Sequence, residues 1–79
     1  SVFPNPNDGV FQLQLRNEQV GDIRIKVYDV AGHLVDEMLY AKSSELFQTQ
    51  VDLSTQEGGQ YLLFIETPSG LAVKRVIKL

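Results

Sequence analysis

Residues 11–27, FQLQLRNEQVGDIRIKV, contain the most regular pattern in the chain. Apolar and polar residues alternate over FQLQLR, and after the polar connection NEQVGD they alternate again over IRIKV. A period of two places every apolar side chain on one face of an extended chain, so both halves are predicted to be β-strands with one face towards a core. The side chains predicted to face that core are Phe11, Leu13, Leu15, Ile23, Ile25 and Val27.

Four further segments continue the pattern towards the C-terminus, separated by turns that contain glycine, proline or serine. They are LVDEMLY at 34–40, LFQTQVDL at 46–53, YLLFIET at 61–67 and LAVKRVIKL at 71–79. We expect the second of them to be an edge strand, whereas the unbroken apolar run of the third favours a central strand shielded on both faces. The core positions predicted in these segments are Val51, Leu63 and Ile65.

Together with a short strand at Val2 and Phe3, these segments predict an all-β fold, an antiparallel β-sandwich of about seven strands. The alternative is a helix over DEMLYAKSSELF, residues 36–47, because Met38, Leu39 and other residues could share a helical face. Tyr40 and the paired serines weaken that alternative. A sandwich is therefore favoured over a helical or α/β domain.

The segment PNPNDG, residues 4–9, precedes the first long strand. Each proline fixes its own φ and keeps the residue before it out of the helical region. Asn7, Asp8 and Gly9 supply side-chain acceptors and a glycine that is free to adopt positive φ. The sequence therefore predicts a stiff, short entrance that sets the angle between the sandwich and whatever precedes it.

Composition limits the class of protein. With 79 residues and no cysteine, the chain is expected to form a single domain, residues 1–79, held together by packing and backbone pairing. A net charge of -3 disfavours a nucleic-acid partner, and the longest apolar run, YLLFI, is too short to span a bilayer. Because the chain starts at Ser1 without a methionine or a signal peptide, we expect it to be cut from a longer protein, with Leu79 as the natural end of that protein.

Catalytic residues are not predicted, so the chain is not expected to be an enzyme or to need a cofactor. The only histidine, His33, lies in the turn DVAGH with Asp29 and Asp36 nearby. An exposed turn provides neither the burial nor the fixed geometry that general-base catalysis requires. Asp36 and Glu37 are adjacent in a strand and point to opposite faces, which is unsuitable for paired-carboxylate chemistry.

Two ligand-binding alternatives stay open. The PNPNDG segment offers oxygen ligands for calcium, but only one of its three candidates is charged, so turn formation is favoured for Asn5, Asn7 and Asp8. Tyrosines could also line a sugar-stacking face, although tyrosines at strand ends more often pack half-buried with a solvated hydroxyl. The tyrosines concerned are Tyr28, Tyr40 and Tyr61.

Four segments, taken in order, resemble a known family: PNPNDG at 4–9, KVYDVAGHLV at 26–35, VDLSTQEGGQYLLFIET at 51–67 and GLAVKRVIKL at 70–79. Over essentially its whole length the chain resembles the C-terminal sorting domain of type IX secretion system cargo proteins of Bacteroidetes. The residues that match the family's motifs are Pro4, Asn5, Pro6, Gly9, Tyr28, Asp29, Gly32, Asp52, Leu53, Gly59 and Tyr61, followed by the basic and apolar residues from Lys74 to Leu79.

The resemblance implies an immunoglobulin-like sandwich that serves as an export label. Such a domain follows a cargo domain in the same chain, passes through the periplasm, and is recognised by the outer-membrane type IX translocon. A sortase-like surface peptidase then usually removes it and attaches the cargo at the cell surface. The resemblance therefore implies a secreted or surface-exposed product and a non-catalytic role for this chain.

Recognition is predicted to lie in the C-terminal strand, with charge and apolar contact supplied by Lys74, Arg75, Val76, Ile77, Lys78 and Leu79. Because terminal segments open easily, we expect this end to peel from its sheet and to add as a strand to a receptor sheet. An accessory immunoglobulin-like binding or adhesion module is the alternative function. Exposed strand edges also allow a weak homodimer.

Overall fold

The computed structural model describes residues 1–16 and 19–79, and all regular secondary structure in these residues is β-strand. This part of the chain contains no helix long and apolar enough to cross a membrane. The strands are β1 (Val2–Phe3), β2 (Val10–Arg16), β3 (Gly21–Asp29), β4 (Leu34–Lys42), β5 (Leu46–Asp52), β6 (Gly59–Thr67) and β7 (Gly70–Lys78).

The strands form two antiparallel sheets, one with the order β1-β2-β5 and the other with the order β4-β3-β6-β7. The predicted all-β sandwich of about seven strands is confirmed. The segment considered as a helix, residues 36–47, instead forms most of β4, the connection after it and the start of β5. The predicted edge strand β5 lies at the end of the smaller sheet, and β6 lies between β3 and β7 as a central strand should.

The core fills the space between the two sheets, and it contains eight of the nine side chains predicted to face it; the ninth, Leu15, is half-buried and packs against the core. Alternation along each strand explains this, because one face of each sheet is turned towards the other. The buried apolar residues are Phe11, Leu13, Ile23, Ile25, Val27, Val51, Leu53, Tyr61, Leu63, Ile65 and Val76.

One prediction about β6 is wrong. The strand is central but not shielded on both faces: Tyr61, Leu63 and Ile65 are buried, whereas Leu62 and Phe64 on the opposite face are only half-buried. The apolar run in the sequence cannot show that the sheet has a second layer on one side only.

The interpretation of PNPNDG as an entrance to the sandwich also needs correction. The segment follows β1, which is already part of the smaller sheet through the pairs Val2↔Leu13 and Phe3↔Gln12. From there it crosses to the larger sheet and reaches β7, where Asn7 forms a bridge with Lys78. The peptide bonds before both prolines of the segment are cis. The segment therefore connects the two sheets inside the fold.

Candidate functional site

The predicted recognition residues lie on β7, which is at the end of the larger sheet. β7 pairs with β6 along its full length, from Gly59↔Lys78 to Thr67↔Gly70. Alternation along the strand sends the side chains of the predicted residues to opposite faces of the sheet. The set from Lys74 to Leu79 is therefore divided into two groups.

Arg75, Ile77 and Leu79 share the outer face of the larger sheet and are exposed. Lys74 points to the other face but is also exposed, because β7 is the last strand of its sheet. Val76 is fully buried in the core, where it pairs with Tyr61 across the strands. In the folded domain Val76 stabilises the strand and is not available to a partner.

Lys78 is half-buried, and its ammonium group is bound within the domain. Its Nζ donates hydrogen bonds to the carbonyl oxygens of Ser54, at 3.2 Å, and of Gln56. Both carbonyls belong to the turn between β5 and β6. Lys78 therefore holds this turn against the end of β7, which is a structural role that the prediction of a recognition charge did not include.

The outward edge of β7 is covered at its C-terminal end by the PNPNDG segment. The side-chain amide of Asn5 donates to the carbonyl of Arg75, at 2.9 Å, and accepts from the N–H of Ile77, at 2.9 Å. These are the two bonds that the N–H and C=O of one residue in a parallel neighbouring strand would make. The exposed Asn5 side chain therefore takes the place of a backbone pairing partner.

Asn7 continues this pairing with its own backbone. Its N–H donates to the carbonyl of Ile77 at 3.0 Å, and its carbonyl accepts from the N–H of Leu79 at 2.7 Å. Its side chain donates to the carbonyl of Pro4 at 3.0 Å and accepts from the N–H of Gly9 at 2.9 Å. We call Asn5 and Asn7, with these bonds to β7, the asparagine clamp.

Asn7 is a structural residue that sequence reasoning did not single out for this role. Its side chain is only 4% exposed, and both its donor and its acceptor are used. An asparagine among prolines suggests a turn, and its side chain does bond locally to Pro4 and Gly9, but no local pattern indicates that its backbone pairs with Ile77 and Leu79 at the other end of the chain. Since the side-chain oxygens of Asn5 and Asn7 already accept backbone N–H groups, the geometry supports the turn interpretation over calcium ligation.

Gly9 brings the PNPNDG segment, the turn after β5 and the end of β7 together. Its φ is +120°, and a Cβ atom at this position would lie 3.0 Å from the Cα of Ser54 and 3.0 Å from the Cε of Lys78. The carbonyl of Gly9 accepts a hydrogen bond from the N–H of Leu53 at 2.6 Å. Only glycine permits this backbone conformation together with such a close approach.

The hairpin between β3 and β4 is organised by Asp29. Its Oδ1 accepts hydrogen bonds from the N–H groups of Ala31, at 3.0 Å, and His33, at 2.9 Å. Hydrogen bonding from the His33 backbone is the main reason why the pKa of Asp29 lies below its ordinary value. The exposed His33 ring lies 3.3 Å from the carboxylate. Gly32 has a φ of +87°, so this motif specifies a turn.

The turn between β5 and β6 is fixed by Asp52 and Tyr61. Asp52 accepts a hydrogen bond from the N–H of Ser54 at 2.8 Å, and hydrogen bonds from the side chain and backbone of Ser54 hold its pKa below the ordinary value. The Tyr61 hydroxyl donates to the carbonyl of Glu57. A buried tyrosine bonded to the backbone a few residues upstream is the geometry of a tyrosine corner, a feature of immunoglobulin-like sandwiches.

The three tyrosines do not form a common sugar-stacking face. Tyr61 is in the core, Tyr40 packs on Phe47 with ring centroids 5.3 Å apart, and Tyr28 packs edge-on against Phe64 at 5.1 Å. Tyr28 and Phe64 lie on the outer face of the larger sheet, whereas Tyr40 bonds through its hydroxyl to a threonine of the smaller sheet. The sugar-stacking alternative is therefore not supported by the arrangement of these rings.

Acidification is expected to weaken the domain in part through Asp29. Because the folded pKa of Asp29 is lowered, its contribution to stability is present above the pKa of an unfolded aspartate and is lost as the pH falls through the folded value. Asp29→Asn keeps the Oδ1 acceptor but cannot titrate. The fall in Tm from neutral pH to a pH of about 3 should therefore be smaller in the variant. Equal falls in Tm for the two proteins would contradict this role of the carboxylate.

Comparison with protein families matches residues 1–79 to the secretion system C-terminal sorting domain. A search of curated proteins found no match. The matched range includes both turn motifs as well as the PNPNDG segment and β7, which meet at the asparagine clamp. The family is defined by a sorting signal and not by a catalytic activity. The chain therefore belongs to the secretion system C-terminal sorting domains, the type IX signals that associate with a cargo protein and direct it to the cell surface or the extracellular space.

Proposed function

We propose that this domain is the C-terminal part of a longer cargo protein, and that the outer-membrane type IX translocon recognises it after the cargo has crossed into the periplasm. A sortase-like surface peptidase then removes the domain and attaches the cargo at the surface. Family membership supports the sorting function. The observation that carries the proposal is the asparagine clamp, because it holds the C-terminal strand in one position with Arg75 and Ile77 exposed.

The exposed residues of β7 are the proposed contacts. Lys74 and Arg75 supply positive charge, and Ile77 and Leu79 supply apolar surface. Val76 and Lys78 act indirectly, since one is in the core and the other is bonded to the turn after β5. In this proposal the translocon binds exposed side chains of β7 while the strand stays folded in its sheet.

Peeling of the strand before recognition is not a low-cost step. Release of residues 75–79 breaks four hydrogen bonds to Asn5 and Asn7, each of which contributes about 0.5–1.5 kcal/mol. It also withdraws Val76 from the core and frees Lys78 from its carbonyl partners. The structure therefore favours recognition of the folded strand over the free chain end that the sequence suggested.

The test is export of a passive reporter fused before this domain in a type IX-competent bacterium. Changing Lys74 and Arg75 together to glutamine should lower export by about tenfold, equivalent to about 1.4 kcal/mol of lost binding. Their side chains make no ion pair among the described residues, so the melting curve should not change. Lys78→Gln is left out of this variant because it would disturb the turn after β5.

A matched control removes two positive charges elsewhere on the same sheet. Arg24 and Lys26 on β3 form ion pairs of 3.8 and 4.0 Å at the surface, one exposed and one with a half-buried lysine, and such surface pairs contribute little to stability. Changing both to glutamine should leave export unchanged. Normal export by the folded Lys74/Arg75 variant would rule out charge recognition by β7. Deleting residues 75–79 is a weaker test, since it also removes Val76 from the core and uncovers Asn7.

A binding or adhesion module is the second candidate function. The observation that favours it is the half-buried aromatic pair of Tyr28 and Phe64, which lies on the outer face of the larger sheet. Export of a passive reporter by this domain alone would support the sorting function over the binding function, whereas retention of the reporter in the periplasm would favour the binding module. A weak homodimer through strand edges stays a prediction.

A further inference from the structure

The outward edge of β7 is divided into a covered half and an open half. The carbonyl of Arg75, the N–H and carbonyl of Ile77 and the N–H of Leu79 point outward and are bonded to the asparagine clamp. Since these groups alternate in direction along an antiparallel strand, the N–H and C=O of Leu71 and Val73 point to the same outward edge. In residues 1–16 and 19–79, the only strand beside β7 is β6, and no loop backbone bonds to Leu71 or Val73.

Residues 70–73 of the open half contain no charged side chain, proline or register shift, which are features that usually protect an edge strand from pairing, and the charges of Lys74 and Arg75 lie only at its end. β4, at the opposite edge of the same sheet, carries the acidic pair Asp36 and Glu37, and its pairing with β3 is interrupted by a register shift. The open half of β7 pairs with β6 in regular register and contains no proline. Its side chains on the outer face are Leu71 and Val73, which are 58% and 49% exposed.

Positive charge lies at the boundary between the two halves. Lys74 and Arg75 are exposed and point to opposite faces of the sheet, and neither has an ion-pair partner in the part of the chain that the structure describes. The chain as a whole carries a net charge of -3. The open edge is therefore a locally basic site on an acidic domain, and it would favour carboxylates in a partner.

We infer that the open edge of β7, at Leu71 and Val73, is a docking site for an extended strand of a partner protein in which acidic and apolar side chains alternate. The unpaired N–H and C=O groups of two edge residues fit an extended backbone. Because alternate side chains of a strand share a face, the carboxylates of the partner lie beside Lys74, and its apolar side chains lie beside Leu71 and Val73 on the outer face. Pairing ends at Arg75, because its carbonyl is already bonded to Asn5. The site shares Lys74 and Arg75 with the side-chain recognition proposed above but adds backbone pairing at Leu71 and Val73, and peptide binding to it is measurable without export.

A second copy of this chain fits the site less well. Antiparallel self-pairing centred on Ala72 would place Leu71 opposite Val73 and Lys74 opposite Gly70. No carboxylate would then lie opposite Lys74 or Arg75, so the added positive charges would stay uncompensated.

The binding test uses the 79-residue chain labelled with ¹⁵N and a synthetic six-residue peptide of alternating glutamate and valine. We expect saturable shifts of the Leu71 and Val73 amide signals and slower hydrogen exchange of both amides. A peptide of alternating lysine and valine should bind at least about tenfold more weakly than the acidic peptide, because its positive charges repel Lys74 and Arg75. Methylating the backbone nitrogens of the acidic peptide should abolish binding, because it removes the N–H groups that would bond to the edge of β7. The side chains of the peptide are unchanged, so this comparison isolates the backbone pairing.

Val73→Pro is the matching change in the domain. It removes the outward N–H at a position where an edge strand tolerates proline, so the fold should be kept and the peptide should no longer bind. Changing Lys74 and Arg75 to glutamate should reverse the preference, so that the lysine peptide binds better than the glutamate peptide. This charge reversal keeps the test decisive if the proline variant fails to fold.

Three results would overturn the inference. The first is the absence of saturable binding of the acidic peptide to the unmodified chain. The second is binding that Val73→Pro leaves unchanged. The third is concentration-dependent self-association that Val73→Pro abolishes, because a second copy would then be the occupant of the edge.

Discussion

Replacing Ile25 by alanine is expected to destabilise the domain by about 2–5 kcal/mol, because it removes a fully buried side chain and leaves a cavity. Ile25 lies in the middle of β3, between Met38 on β4 and Ile65 on β6. A domain of this size has a free energy of unfolding of about 4–12 kcal/mol. The substitution therefore removes a large part of the total stability. Chemical denaturation monitored by circular dichroism measures this change in the free energy of unfolding.

Leu39→Ala is the matched control for this experiment. Leu39 is on the neighbouring strand β4, opposite Arg24, and its side chain is exposed on the outer face. Its loss should change the free energy of unfolding by about 0.5 kcal/mol or less. If Leu39→Ala were the more damaging change, the inner and outer faces of the larger sheet would have to be exchanged.

Asn7→Ala is expected to lower the free energy of unfolding by about 2–4 kcal/mol, because two polar backbone groups lose their partners at a buried position. The groups are the N–H of Gly9 and the carbonyl of Pro4, which bond to the Asn7 side chain. Because the PNPNDG segment bonds to the amides of Ile77 and Leu79, loosening of this segment should also speed hydrogen exchange at both amides. Denaturation and NMR-detected exchange on the same sample give both quantities.

Two further variants show which part of the clamp is responsible. Asn5→Ala removes two hydrogen bonds to β7, but Asn5 is exposed, so water replaces its bonds and the loss should be about 0.5–1.5 kcal/mol. Asn7→Asp keeps the acceptor for Gly9 but replaces the donor for Pro4 with a buried carboxylate, so it should lower the free energy of unfolding at least as much as Asn7→Ala. Wild-type stability and unchanged exchange at Leu79 in Asn7→Ala would show that the buried amide does not hold the end of β7.

The amino-acid sequence by itself determined the strands and their inner faces. Phe11, Leu13, Ile25 and Val27 are all buried as the alternation predicts. This prediction succeeds because the period of a strand is a local property: neighbouring side chains must point to opposite faces wherever the chain is extended. The turn motifs around Asp29 and Asp52 are local in the same sense, since each carboxylate bonds to N–H groups within four residues. The family resemblance depended on these local motifs and was confirmed by the match over residues 1–79.

The tertiary structure alone decided how the C-terminal strand is held and which of its residues are accessible. Asn5 meets Ile77 across 72 positions of sequence, and Lys78 meets Ser54 across 24. No local pattern distinguishes a lysine bonded to carbonyls from an exposed lysine, or a valine in the core from one on an open edge. These differences arise only when the two sheets pack and the PNPNDG segment crosses between them, because burial and hydrogen bonding at β7 depend on residues from the other end of the chain.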